Sequence, residues 1–171
     1  MLLKKLHQHN IIQYGDFTLK SGQRSNIYVD MRKVISIPSL HREICEQLSK
    51  CIHPDIDIIC GTPYGAVSYA SHVSITNNIP MIFLRKEAKQ HGTKQMIEGS
   101  YKPKSKVFLI EDVTTTGGSV RESAKILEQH GLEVAQIVTI LSRSEHEYLT
   151  YKSIPITPLC YIRTQHMSSN L

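Results

Sequence analysis

The stretch VFLIEDVTTTGGSV, residues 107–120, decides how the chain folds. Val107 to Ile110 are apolar and mostly β-forming, so they predict a buried strand. Two adjacent carboxylates follow, Glu111 and Asp112, and then Val113, Thr114, Thr115, Thr116, Gly117, Gly118 and Ser119. That run predicts a small-residue turn opening a helix. A strand, an acidic tip, a nest of free amides and a helix N-terminus together suit a sugar phosphate. The amides and the helix dipole favour the phosphate. The carboxylates accept hydrogen bonds from hydroxyls or hold a hydrated cation. The spacing matches neither G-x-x-x-x-G-K-[ST] nor G-x-G-x-x-G, which argues against a triphosphatase loop and a dinucleotide fold.

Downstream of this stretch, Val120, Ala124 and Leu127 mark the inward face of a helix over residues 119–130, and Gly131 ends it. Ser119 is the expected N-cap, with Glu122 completing a capping box. Residues 134–141 read as another buried strand, ending at Ser142, Arg143 and Ser144. An arginine just past the carboxyl end of a parallel strand sits where such folds place ligands, and its fork suits a carboxylate. Residues 145–151 read as helical. Residues 154–162 read as a last strand, placed at an edge by Pro155 and Pro158. Residues 164–171 are expected to fray.

Upstream, residues 57–60 form a short buried strand, followed by GTPYGA (residues 61–66) and a small-residue helix to about Thr76. A glycine-bracketed loop between strand and helix is a second candidate anion cradle, although any such strand-to-helix unit needs a tight turn. PMIFL (residues 80–84) is the next strand. The basic run of residues 85–94, RKEAKQHGTK, follows it. It is too long and too charged for a tight turn; taken alone it reads as a solvated surface loop, and beside the other strand ends as a lid able to bring Arg85, Lys86, Lys89 and His91 to a polyphosphate. Pro38 opens a helix running to about Cys51, with Leu40, Ile44 and Leu48 as its core stripe. Residues 17–31 form two short strands about Ser21-Gly22, with Lys20 just ahead of the turn. Residues 1–12 read as a short amphipathic helix broken by Gly15. Strands alternate with helices, so the expected fold is α/β, a doubly wound and mainly parallel sheet in one domain over residues 1–171. GTPYGA, the basic run, the acidic tip and Arg143 then share one sheet edge.

Composition sets the bounds. The 171 residues are 40% hydrophobic and 20% charged, as in a water-soluble domain. No apolar run approaches the roughly 20 residues of a membrane span, and the first ten residues turn polar too soon for a signal peptide, so a cytoplasmic protein is expected. The net charge of +5 suits an anionic partner. No nucleic-acid motif accompanies it, and a small polyanion explains it as well. Cys45, Cys51, Cys60 and Cys160 form no C-x-x-C pair, so reduced thiols are expected rather than disulfide or metal clusters.

FTLKSG with NIYVDMR, GTPYGA, PMIFLRKEAKQHGT followed by IEG, IEDVTTTGGSV and Arg143 occur in this order over residues 17–143. Together they resemble the orotate phosphoribosyltransferases. The EDVTTTGGS motif is shared by type I phosphoribosyltransferases generally, whereas LKSG, RKEAKxHG and IEG are particular to the orotate branch. The form is similar to the transferase half of UMP synthase. The resemblance implies a type I sheet with a small N-terminal hood. It implies transfer of the phosphoribosyl group of phosphoribosyl pyrophosphate (PRPP) to orotate, giving orotidine 5′-monophosphate and pyrophosphate, with Mg2+ carried by PRPP rather than held by the protein. It implies that Lys20, Tyr64, Gly65, Arg85, Lys86, Lys89, His91, Glu111, Asp112 and Val113 to Ser119 bind PRPP. Lys20, Thr115 and Arg143 would meet orotate, and Lys86, Lys89, His91 and Asp112 would act in catalysis. A homodimer sharing its lid between subunits is implied, with neither nucleic acid nor membrane as partner. Two positions depart from the family pattern: Asn26 where proline is usual, and Ser142 where aspartate is usual. A purine phosphoribosyltransferase leaves LKSG and the lid unexplained. A PRPP-sensing or RNA-binding regulator has no need of the cations at Lys86, Lys89 and His91.

Overall fold

In the computed structural model, residues 1–18, 22, 24–87, 95–144 and 148–162 are described. A seven-stranded sheet forms the body, in the order β5-β4-β3-β6-β7-β9-β8. Its strands are β3 (Ile58–Gly61), β4 (Met81–Leu84), β5 (Ile97–Glu98), β6 (Lys106–Thr114), β7 (Glu133–Ser142), β8 (Thr150–Tyr151) and β9 (Ile154–Tyr161). β3, β4, β6, β7 and β9 pair in parallel, while the two-residue β5 and β8 close the two edges antiparallel.

Helices cover both faces because the strands are apolar on both sides. In β6, Phe108 and Ile110 join one core with Leu40, Ile44 and Leu48 of α2 (Pro38–Cys51) and Tyr69, Ala70 and Val73 of α3 (Val67–Asn77). Val107 and Leu109 alternate to the other face, against Val120, Ala124 and Leu127 of α4 (Gly118–Gln129). The period-two alternation of a strand thus joins two helical layers through one central element.

The N-terminal segment forms the hood. α1 (Leu2–Gln8) leads into an antiparallel pair, β1 (Ile12–Thr18) and β2 (Arg24–Val29), which make a separate two-stranded sheet. Leu2, Leu6, Ile11, Ile12 and Ile27 are buried in the core of α2 and α3, so the hood is seated on the body. The first helix is shorter than its apolar spacing predicts. Asn10 takes a left-handed φ of 53°, which turns the chain, and Ile11 leads into β1 at Ile12. Gly15 therefore breaks no helix; it lies inside β1, where the register shifts between Tyr14 and Phe17.

Three further expectations are corrected. Thr150 and Tyr151 are a strand, not the end of a helix, because Lys152 at φ 52° turns the chain back so that they pair with Pro155 and Ile154. β9 is accordingly one strand in from the edge. Ser119 does not cap α4: Gly117, at φ 78°, is the N-cap, and the serine hydroxyl is committed elsewhere. Gly131, at φ 79°, follows the end of α4 as expected. Among the described residues no helix is long and apolar enough to cross a membrane.

Candidate active site

Parallel pairing puts the carboxyl ends of β3, β4, β6 and β7 at one edge of the sheet. The loop of residues 61–66, the start of the basic run, the acidic tip and Arg143 therefore converge, as their positions predict.

The acidic tip is interlocked. Glu111 is only 4% exposed, and its carboxylate accepts hydrogen bonds from the Thr62 hydroxyl at 2.7 Å, the Ser119 hydroxyl and the Asp112 amide at 3.0 Å. Burial raises its pKa above the usual carboxylate range; neighbouring Asp112 pushes the same way, and the two hydroxyls pull against it. Thr62 and Ser119 thus tie the loop after β3 and the first turn of α4 to one carboxylate. Asp112 is partly exposed, and its Oδ1 accepts from the Val113 amide at 2.9 Å.

Gly65 is required by close approach rather than by torsion. A Cβ there would stand 1.9 Å from Asp112 Oδ2 and 2.5 Å from its Cγ. Asp112 therefore lies flat against the backbone of the 61–66 loop, and any side chain at 65 displaces it.

Beyond the acids the chain opens into the turn expected to form an anion nest. Thr115 and Thr116 are exposed bends, and Gly117 turns the backbone into α4. Arg121 folds back so that its guanidinium donates to the Thr116 carbonyl. Its cation borders the nest, a placement visible only once the first turn of α4 exists. Thr114 Oγ1 is buried with no hydrogen-bond partner among the described residues.

Arg143 joins sheet and hood. Its amide donates to the Thr114 carbonyl at 2.8 Å and its Nη2 to the Ser25 hydroxyl at 3.1 Å. Its Nε is buried with no partner among the described residues, and burial lowers the guanidinium pKa. A half-buried cation with an unanswered donor suits a planar carboxylate. Ser142 is buried, its hydroxyl accepts from the Ser144 amide at 3.3 Å, and its carbonyl accepts from Ile162 at 2.8 Å. It closes the turn that holds Arg143. Asn26 lies exposed on β2.

At the end of β4, Arg85 donates from Nη1 to Glu98 Oε1 at 3.0 Å, and its amide donates to the Met96 carbonyl at 2.9 Å. Lys86 Nζ stands 5.0 Å from the centroid of the exposed Tyr64 ring, a cation–π contact between the loops after β3 and β4. Lys20, Lys89 and His91 lie outside the described residues. Glu98 belongs to the IEG motif, but its task of holding Arg85 needs the β4–β5 pairing to be seen.

An interlocked acidic strand end, a phosphate-ready turn and a cationic loop base on one parallel edge define a site for phosphoribosyl transfer. The phosphoribosyl transferase domain family accordingly matches residues 36–159. The chain is 36% identical to orotate phosphoribosyltransferase of Pyrococcus abyssi, over 94% of this chain and 91% of that one. It is also 36% identical to bovine uridine 5′-monophosphate synthase, over 95% of this chain but only 35% of that longer protein. Among solved structures, orotate phosphoribosyltransferase from Aeropyrum pernix superposes with a TM-score of 0.81 at 28% identity, covering 95% of this chain and 94% of that one. The chain belongs to the orotate phosphoribosyltransferase family.

Proposed function

We propose that the chain transfers the phosphoribosyl group of PRPP to orotate, forming orotidine 5′-monophosphate and pyrophosphate in pyrimidine biosynthesis. The observation that carries this reading is the contact of Asp112 with Gly65, which joins the acidic strand end to the loop after β3 beside the nest of Thr114 to Gly118.

In the reaction the bond from the ribose anomeric carbon to pyrophosphate breaks, and a bond to an orotate ring nitrogen forms. Positive charge grows on the ribose and negative charge on the leaving oxygen. In this reading Glu111 and Asp112 accept hydrogen bonds from the ribose hydroxyls, which orients the sugar and sets negative charge beside it. Val113 to Ser119 cradle the 5′-phosphate. Glu111 already holds two hydroxyl donors and the Asp112 amide, so Asp112 is the carboxylate more open to ligand. Arg143 pairs with the orotate carboxylate, and Thr115 and Lys20 border the base. Tyr64, Gly65, Arg85, Lys86, Lys89 and His91 face the pyrophosphate. Lys89 or His91 gives it a proton, and the closed lid excludes water as a rival nucleophile. The donors at the strand end are all oxygens, which suit Mg2+, and an ion carried by the pyrophosphate would neutralise part of the leaving charge.

The reading extends to a cytoplasmic homodimer whose lids close over one another's sites. The test of the reaction is the ultraviolet absorbance of orotate with protein, PRPP and Mg2+. A PRPP-dependent fall, with orotidine monophosphate identified by chromatography, is expected. A folded protein that leaves orotate untouched overturns the assignment.

A further inference from the structure

Where α2 packs against α3, three metal-ligating side chains meet, none of them among the residues of the candidate active site. His41 and Cys45 are one helical turn apart on α2, so they share a face. His72 reaches them from α3. One ligand atom from each lies within 4.8 Å of the others. Cys45 Sγ is 3.8 Å from His41 Nδ1. We propose that His41, Cys45 and His72 bind a divalent transition metal of the zinc class, with water completing the coordination.

The donor set selects the metal. Two imidazoles and a thiolate suit Zn2+ and Co2+ and reject Mg2+ and Ca2+, which take oxygen. With metal–nitrogen bonds of about 2.0 Å and a metal–sulfur bond of about 2.3 Å, tetrahedral ligands stand roughly 3.3–3.6 Å apart, so the cluster needs to close by about 1 Å. Side-chain rotation supplies that.

The surroundings are those of a ligand set. His41 Nε2 lies 3.4 Å from the Ser68 hydroxyl, a partner that keeps the other nitrogen, Nδ1, turned towards Cys45. The His41 ring stacks on Tyr69 at 4.7 Å between centroids, and the Tyr69 hydroxyl donates to the Met31 carbonyl at 3.1 Å, so the stack is itself anchored. Burial and the neighbouring His72 lower the His41 pKa, which favours the neutral form that ligates. Burial pushes the Cys45 thiol up to about 12, so in the absence of metal it stays protonated, and binding releases that proton. His41 and His72 are only partly buried, which leaves an entry path. α3 follows directly on the loop that carries Gly65, so a metal here staples the helix that leads away from the active-site edge.

The test is Co2+ titration of the full chain in a non-thiol reductant, read by absorbance. The expected result is one Co2+ per chain, with a thiolate-to-cobalt charge-transfer band and the intense visible bands of four-coordinate cobalt, displaced by Zn2+. Both are lost in Cys45→Ser and in His72→Ala. Zn2+ is expected to raise the unfolding temperature of the wild type but not of His72→Ala, and Mg2+ to raise neither. Absence of a thiolate band in the wild type overturns the proposal. So does a band that survives Cys45→Ser, which would assign it to Cys51, Cys60 or Cys160. If Cys45→Ser does not fold, the partly exposed His72→Ala decides: an unchanged spectrum refutes the site.

Discussion

The ends of β6 and β4 lie on the same sheet edge and are built in opposite ways. At the end of β6, Glu111 is buried and held by Thr62, Ser119 and the Asp112 amide, and Asp112 is seated against Gly65. At the end of β4, Lys86 is exposed over the face of Tyr64, and Arg85 is held by a partly exposed ion pair with Glu98. The first region is preorganised, and the second carries its charge on more exposed side chains. Groups that must already be in place when the anomeric bond breaks belong on the rigid side. Groups that must admit pyrophosphate and release it belong on the adjustable side.

Substitutions that sharpen this contrast fall in a definite order. Asp112→Asn removes negative charge beside the ribose without changing shape and is expected to lower kcat by roughly a hundredfold or more, by analogy with the loss of one preorganised electrostatic group. Near-wild-type turnover in steady-state kinetics would take Asp112 out of the site. Lys89→Ala is expected to lower kcat more than it weakens PRPP binding. Verified mixed dimers of Lys89→Ala with Asp112→Asn should recover part of the activity, and no recovery would mean that each site is built within one chain. Gly65→Ala forces a methyl group onto Asp112, an overpacking of about 1–3 kcal/mol that the loop relieves by moving the carboxylate. PRPP KM should rise and kcat fall together, with little change in fold by circular dichroism.

The buried acid gives a pH signature. Folding raises the pKa of Glu111, so its contribution to stability is fully present below the ordinary carboxylate pKa and is lost as pH rises through the folded value. Glu111→Gln removes that loss. The unfolding temperature of Glu111→Gln relative to wild type should therefore climb as pH is raised from acid towards neutral, in the absence of ligand. A constant difference across that range would mean that Glu111 is not held protonated by burial. The smallest effect belongs to the adjustable side. Glu98→Gln weakens a partly exposed pair and should cost under about 1 kcal/mol of stability by chemical denaturation. A larger loss would show that the end of β4 is as rigid as the end of β6.

The strand, acidic tip and turn of residues 107–120 were legible because their signals are contiguous: an apolar run, two acids and a Gly-Gly turn need no distant partner. The shared edge was legible because strand alternation with helices implies parallel pairing. What escaped depends on distant residues meeting. Ser119 has a cap-forming sequence, yet its hydroxyl goes to Glu111, since satisfying a buried carboxylate outweighs capping a helix that Gly117 already opens. The Gly65–Asp112 contact joins two strands and leaves no local mark. Asn10 ended a helix whose apolar spacing ran on. His41, Cys45 and His72 leave no C-x-x-C mark, because the set holds a single cysteine and its third member stands on another helix.

The central claim is a specific one, that this edge couples PRPP to orotate and not to a purine. The most direct measurement is pyrophosphate release from PRPP and Mg2+ by the purified chain with orotate, adenine or hypoxanthine as acceptor. Release with orotate alone, lost in Asp112→Asn, is the predicted result. Release with a purine and none with orotate would contradict the assignment.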